Sequence, residues 1–238
     1  MEKETINDQF IKAKRSDDYG KHMIFIENLL SFDHPDILNI HFNLLKDTEN
    51  IQLYQLISDA FIERGKQGEQ FLINQIDNEK DIRLKGDILK ILGEMDSKLV
   101  LPYTERYMKS EKFELRYSSI IVLGWIGGTE HIDLLGKQLF DDTDPLLRGY
   151  SATAQRQIWY RLPETKEKIL FYLKKALESE QDSQALTLII ITAQSIMKKK
   201  FGIKETADGI NEPTISVKNI EKAKEKTLKA LMNEDKKL

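Results

Sequence analysis

The 238-residue chain contains no cysteine. That removes disulfides, zinc–thiolate sites and cysteine nucleophiles, and it suits a reducing compartment, so a cytoplasmic protein is expected. Five prolines and twelve glycines leave little room for long irregular stretches. Neither sign of charge prevails: 36 Lys and Arg stand against 39 Asp and Glu, a net charge of -3. No global attraction for a polyanion follows, and nucleic acid is not expected as a partner. Long apolar runs are also lacking. The greasiest, ALTLIIITAQSIM from Ala185 to Met197, falls short of the roughly 20 residues a bilayer span needs. It reads as a buried helix, and no membrane association is expected. The opening MEKETINDQFIKAKRSDD has no apolar stretch of the secretory kind. With 40% hydrophobic and 32% charged residues, the chain should fold and carry a large surface. Its wealth of isoleucine and lysine is a bias shared with AT-rich bacterial genomes, and a bacterial source is expected by that association.

What the chain does contain is a repeat. Leu53, Leu84, Leu115 and Leu147 follow one another at spacings of 31, 31 and 32 residues. Four residues after each stand Ile57, Ile88, Ser119 and Ser151, and seven after stand Ala60, Ile91, Val122 and Ala154. Eleven after come Arg64, Met95, Ile126 and Ile158, where Arg64 breaks the column. Offsets of 0, 4, 7 and 11 share one face of an α-helix, so each segment offers a stripe to its neighbours. Gln155 departs similarly, at a place where Phe61, Leu92 and Leu123 are apolar.

Start signals agree with the stripes. Asn50, Asp81 and Asp144 each stand three residues before an anchor leucine, where a side-chain oxygen caps free N–H groups. Pro145 occupies the first helical position, where its missing N–H costs nothing. Asp81 with Lys85, and Asp144 with Arg148, have the spacing of surface ion pairs worth roughly 0.2–0.5 kcal/mol each. Lys112 faces Arg116 instead. Gly93, Gly124 and Gly127-Gly128 read as stop signals. Second helices are expected over roughly 98–109, 130–140 and 164–179. The predicted unit is helix, tight turn, helix, short turn. On this reading Leu115→Ala costs about 2–5 kcal/mol, and Arg148→Ala, as one half of an exposed pair, costs well under 1 kcal/mol.

The stretches LRYSSIIVLG (115–124), LKGDILKILG (84–93) and DPLLRGYSATA (144–154) resemble HEAT-like repeats, in particular the short variety named after phycobilisome lyases. Val100-Leu101-Pro102 is similar to that family's frequent proline early in the second helix. The resemblance implies an all-α protein, an α-α superhelix or HEAT-like solenoid of stacked antiparallel helix pairs. The array is expected over 1–200, with its clearest repeats at 81–158 and an N-terminal cap at 1–48. Within that cap, helices are expected over 19–30 and from Pro35 to Leu45. A loop from Gly202 to about Pro213 and a capping helix over 217–232 make up 201–238.

Chemistry is sparse. His22, His34, His41 and His131 lack any metal-ligand spacing and read as structural or solvated. FDDTDP (140–145) lacks the alternation and central glycine of a calcium loop and reads as a turn with Asp144 as cap. Gly127-Gly128-Thr129 is followed by no Lys-Ser or Lys-Thr pair and is not a phosphate loop. Glu63, Glu94 and Glu105 form no recognisable acid/base set. No catalytic residue, metal or cofactor is expected, although a site assembled from distant helices leaves no trace in local spacing.

Two aromatic–basic groups are the candidate contact residues: Tyr103, Arg106 and Tyr107 on one second helix, and Trp159, Tyr160 and Arg161 in what reads as an enlarged turn between repeats. Tyr and Arg are enriched where interfaces depend on single side chains. The alternative for Tyr103 and Tyr107 is a core stripe shared with Val100, and for Trp159 a plug between repeats. Protein binding is the expected function, with an immunity-type inhibitor or an adaptor as its branches. The alternatives are an enzyme or enzyme partner of the bilin-lyase kind, as the family resemblance implies, and a nucleic-acid-binding array using the lysines at 166–175 and 198–200.

Overall fold

The computed structural model describes residues 3–204 and 216–235, with side chains over 6–204 and 216–234. Thirteen α-helices and three short 3-10 turns make up the described residues. They gather into two compact units, Met1–Val100 and Leu101–Leu238. The N-terminal unit contains α1 (Lys3–Lys14), α2 (Tyr19–Ser31), α3 (Ile37–Leu44), α4 (Ile51–Ile62), α5 (Gly65–Ile76) and α6 (Ile82–Glu94), then the 3-10 turn Lys98–Val100. The C-terminal unit contains α7 (Leu101–Tyr107), α8 (Phe113–Ile126), α9 (Ile132–Asp141), α10 (Pro145–Arg161), α11 (Lys166–Ser179), α12 (Ser183–Met197) and α13 (Val217–Asp235). The α5 helix was not foreseen. The loop expected from Gly202 to Pro213 lies for the most part outside the described residues.

Each unit is a stack. In the first, α2 packs on α4 and α4 on α6. In the second, α8, α10 and α12 lie side by side, α9 and α11 form a layer behind them, and α13 closes the end against α12 and α11. The repeating stripe is the reason. Leu53, Leu84, Leu115 and Leu147 are all buried, as are the residues four and seven positions after each. The broken column has its own account. Arg64 donates to the Leu29 carbonyl at 2.7 Å and the Leu30 carbonyl at 3.2 Å, oxygens at the C-terminal end of α2 that want a cation.

The caps are as the sequence predicts. Asn50 accepts from Leu53 N, Asp81 from Arg83 N and Leu84 N, and Asp144 from Leu146 N. Of the stop signals, Gly127 holds and the other two do not. Gly93 lies inside α6 and Gly124 inside α8. The α6 helix gives way at Asp96, which takes the left-handed conformation (φ 54°), and α8 is capped by Gly127. Gly124 instead permits close approach of α10. A Cβ there would run into the Gln157 amide and stand 3.1 Å from the Ala154 Cα. The enlarged turn after Ile158 is also corrected: Trp159, Tyr160 and Arg161 continue α10 as its last turn.

One of the two ion pairs expected within helices, Asp144 with Arg148, gives way to a pair between repeats. Arg148 leaves Asp144 and forks onto Glu180, with Nε at 2.6 Å and Nη2 at 2.9 Å from the two carboxylate oxygens, while Nη1 donates to the Asp142 carbonyl at 2.9 Å. Arg116 does the same one repeat earlier, donating to both oxygens of Asp142 at 2.8 and 3.1 Å and to the Ser110 carbonyl at 2.9 Å. Lys224 continues the series on the Glu180 carbonyl at 2.8 Å. Ser110, Asp142 and Glu180 each stand two residues before a helix cap and also accept from its backbone N–H. Arg116 and Arg148 thus each tie the entry of their own repeat to the entry of the next. Burial alone would raise the Glu180 carboxyl, but the bonds from Arg148, Asp182 N and Gln181 N and the arginine charge hold it below the usual range.

Candidate interaction surface on the second helices

The α7 helix brings Tyr103, Arg106 and Tyr107 onto one face, as spacings of three and four require. The Arg106 guanidinium lies 5.0 Å from the Tyr103 ring centroid and 4.7 Å from that of Tyr107, and donates to the Tyr107 hydroxyl at 2.8 Å. Both rings are half-buried and Arg106 is exposed, whereas Val100 is fully buried. The tyrosines are therefore not a continuation of the core stripe. Ring–cation contact holds a long side chain in place and so lowers the entropy lost when a partner orders it.

The neighbouring second helices carry a comparable group that the sequence reading missed. On α9, Asp133 accepts from Lys168 Nζ at 2.7 Å and from the Tyr172 hydroxyl at 2.7 Å, both on α11. These two bonds hold its carboxyl below the usual range. Phe140 meets the Tyr172 ring at 6.1 Å, Phe171 meets it at 5.5 Å, and Lys175 sits 4.3 Å over Phe171. The signal was available: Phe171 and Lys175 are four apart on α11, and Asp133 and Phe140 seven apart on α9. What it lacked was which helices become neighbours. Between the end of α7 and α9 opens a cavity of about 480 Å³, with Met108 and Leu134 as apolar wall, Lys109 and Lys137 at its edge, and the Arg116–Asp142 pair among its lining.

The second predicted group has a different setting. Trp159 is half-buried against the unit's core and its ring lies 5.0 Å from that of Tyr160. Arg161 donates to the carbonyls of Gly124 at 2.8 Å and Gly127 at 3.0 Å, at the negative end of α8. Tyr160 is 63% exposed. These residues stand on a first helix, while Tyr103, Arg106 and Tyr107 stand on a second.

Three histidines are packing groups. His22 Nε2 lies 2.7 Å from the Ser16 carbonyl and 3.1 Å from that of Ala13, and His41 Nε2 donates to the Ile57 carbonyl at 2.9 Å. Burial, with the Arg64 charge beside it, pushes His41 down to about 3. His131 Nδ1 accepts from Gly128 N at 2.9 Å, and its buried Nε2 faces Glu105 at 3.3 Å. In the acidic run, Asp142 is spent on Arg116 and Asp144 on its cap. In the N-terminal unit, burial and the charge of Asp59 raise Glu94, while the buried Asp87 carboxylate is satisfied by Tyr54, Arg83 and Lys90 at 2.5–2.8 Å. Among the described residues no group of three His, Asp or Glu could hold a metal ion, and no helix is long and apolar enough to cross a membrane.

The family model of HEAT repeats matches residues 69–154. Residues 69–154 are thus HEAT-like repeats within an all-helical chain. The match covers the three stretches quoted for the resemblance and does not distinguish the lyase-named variety. HEAT repeats commonly serve as protein-interaction scaffolds. No curated protein matches the chain.

Proposed function

We propose that this protein is a protein-binding module whose contact surface is the second-helix face of α7, α9 and α11. The observation that supports it is Arg106 held between two half-buried tyrosine rings on the exposed side of α7. Stacked hairpins present such faces without any catalytic group, and pre-ordered Tyr and Arg side chains are the residues on which interface affinity depends most. The partner is another protein met in the cytoplasm. An immunity-type inhibitor and an adaptor would use the same surface, and the identity of the captured protein, a toxin or a subunit of an assembly, separates them.

The test is affinity capture from the native host by the wild-type chain and by an Arg106→Ala/Tyr107→Ala variant, read by mass spectrometry. A partner held by the wild type and lost by a variant with unchanged circular dichroism supports the reading. Identical capture by both chains refutes the assigned surface.

A further inference from the structure

The first helices share a register that shows which side of each receives the helix before it. Counted from the caps Asp81, Asp144 and Asp182, the residues six positions on are Asp87, Tyr150 and Leu188. Each meets the preceding first helix of its own unit. Asp87 accepts from the Tyr54 hydroxyl of α4 at 2.5 Å, Tyr150 meets the Tyr117 ring of α8 at 5.5 Å, and Leu188 lies close on Gly149 of α10. Thirteen positions on, Gln157 overlies Gly124 and Ser195 accepts from Arg156 at 3.2 Å. The same counts from Asp18, the cap of α2, reach Ile24 and Ser31. Both are exposed, Ile24 at 59%. Three positions after its cap, where α4, α6, α8 and α10 hold a buried leucine, α2 holds an exposed Lys21. The receiving side of α2 is therefore open. Only α1 lies against part of it, through Phe10 on Phe25 with ring centroids 5.8 Å apart.

Beside α1 that open side forms a cleft of about 430 Å³. The buried Ala13 and Phe25 and the exposed Ile24 are its apolar lining, and Asn28 Nδ2 donates to Gln9 Oε1 across it at 2.9 Å. Its charge has one sign: Lys12 of α1 and Lys21 of α2 line it, and no carboxylate does. Among the described residues neither lysine is in an ion pair, although Asp8 and Asp17 each stand four residues before one of them. Glu27 stands outside the lining, about 60° around α2 from Ile24 on the flank away from Lys21. A two-fold contact with a second copy would set each lysine near its own equivalents, whereas carboxylates on an occupant would offset both. An exposed isoleucine at a helix-stacking register asks for a helix, and two unpaired cations beside it ask for acid.

We infer that this cleft receives an amphipathic α-helix of a partner protein, laid on α2 as a preceding first helix would be, with its apolar stripe on Ile24 and carboxylates along the flank that meets Lys12 and Lys21. The cleft belongs to the N-terminal unit and shares no residue with the face of α7, α9 and α11, so the two stand or fall separately.

The test is selection of a library of helix-forming peptides of roughly four turns on the immobilised full chain. The winning peptide is then measured by fluorescence polarisation against the wild type, Ile24→Glu, a Lys12→Glu/Lys21→Glu variant and Arg106→Ala. The expected result is an acidic motif with apolar residues at i, i+3 or i+4, and i+7. Ile24→Glu and the double lysine variant should each bind it at least tenfold more weakly, and Arg106→Ala equally well. Should Ile24→Glu lose its helical circular dichroism, a benzoylphenylalanine at position 24 replaces it, and the peptide must crosslink there. No enrichment, a basic or uncharged motif, binding that survives Ile24→Glu or the double lysine variant, or absence of the crosslink overturns the inference. So does a concentration-dependent dimer that Ile24→Glu disperses, since the occupant would then be a second copy of this chain.

Discussion

Arg148→Ala separates the pairing within a helix from the pairing between repeats. An arginine paired with Asp144 on an exposed surface would be worth about 0–1 kcal/mol. The structure instead places its side chain at 18% exposure, forked onto a Glu180 that is 7% exposed, with a third bond to the Asp142 carbonyl. Truncation leaves a nearly buried carboxylate without its counter-charge and a carbonyl without its donor. Removing one partner of a fully buried pair costs about 3–5 kcal/mol. The residual exposure of Arg148, and the two backbone N–H groups that still reach Glu180, reduce this to about 2–4 kcal/mol. The assay is urea denaturation followed by circular dichroism, with a double-mutant cycle through Glu180→Ala and a second through Asp144→Ala. The pH dependence adds a sign. Because the folded Glu180 titrates below its unfolded value near 4.3, its contribution is present above that value and is lost as pH falls through the folded one. The gap between wild type and Arg148→Ala therefore narrows in acid. A cost below about 0.5 kcal/mol, or stronger coupling to Asp144 than to Glu180, would refute the pairing between repeats.

Leu115→Ala, which truncates a buried anchor, is expected to lower stability by about 2–5 kcal/mol in the same assay. Gly124→Val is expected to cost about 1–3 kcal/mol by forcing α8 and α10 apart, and a calorimetric melt that does not move contradicts the close approach. His41 stays neutral in the fold down to about pH 3 while the unfolded chain takes up its proton near pH 6.5. Stability should therefore fall with pH across that window by up to about 1.4 kcal/mol per unit, and His41→Gln should flatten the slope in acid titrations. Salt-sensitive retention of the chain on heparin, with a steep slope in log salt, would move the nucleic-acid alternative ahead of protein binding; elution at low salt is the expected result.

The helices, their caps and the inward stripe were legible because they are local. A cap and an offset of 0, 4, 7 and 11 depend on residues within one helix, and the 31- and 32-residue spacing shows that one hairpin recurs. The same locality misled at Gly93, Gly124 and the turn after Ile158. A glycine reads as a stop unless one knows that another helix presses against it, and the last turn of α10 carries no internal mark of its length. Tyr103, Arg106 and Tyr107 could be grouped because one helix carries them. Phe140, Phe171 and Lys175 could not, because α9 and α11 bring them together from about thirty residues apart.

By itself the amino-acid order determined an all-α repeat protein with Leu84, Leu115 and Leu147 inside it, since helical periodicity and burial are written along the chain. Only the tertiary structure decided what Arg116 and Arg148 hold, which aromatic groups remain at the surface, and that Phe201 and Ile203 fold back into the core with their backbone held by Gln194. Those outcomes depend on which charges and rings meet across helices, and a side chain with several partners in reach takes the one that burial and geometry favour.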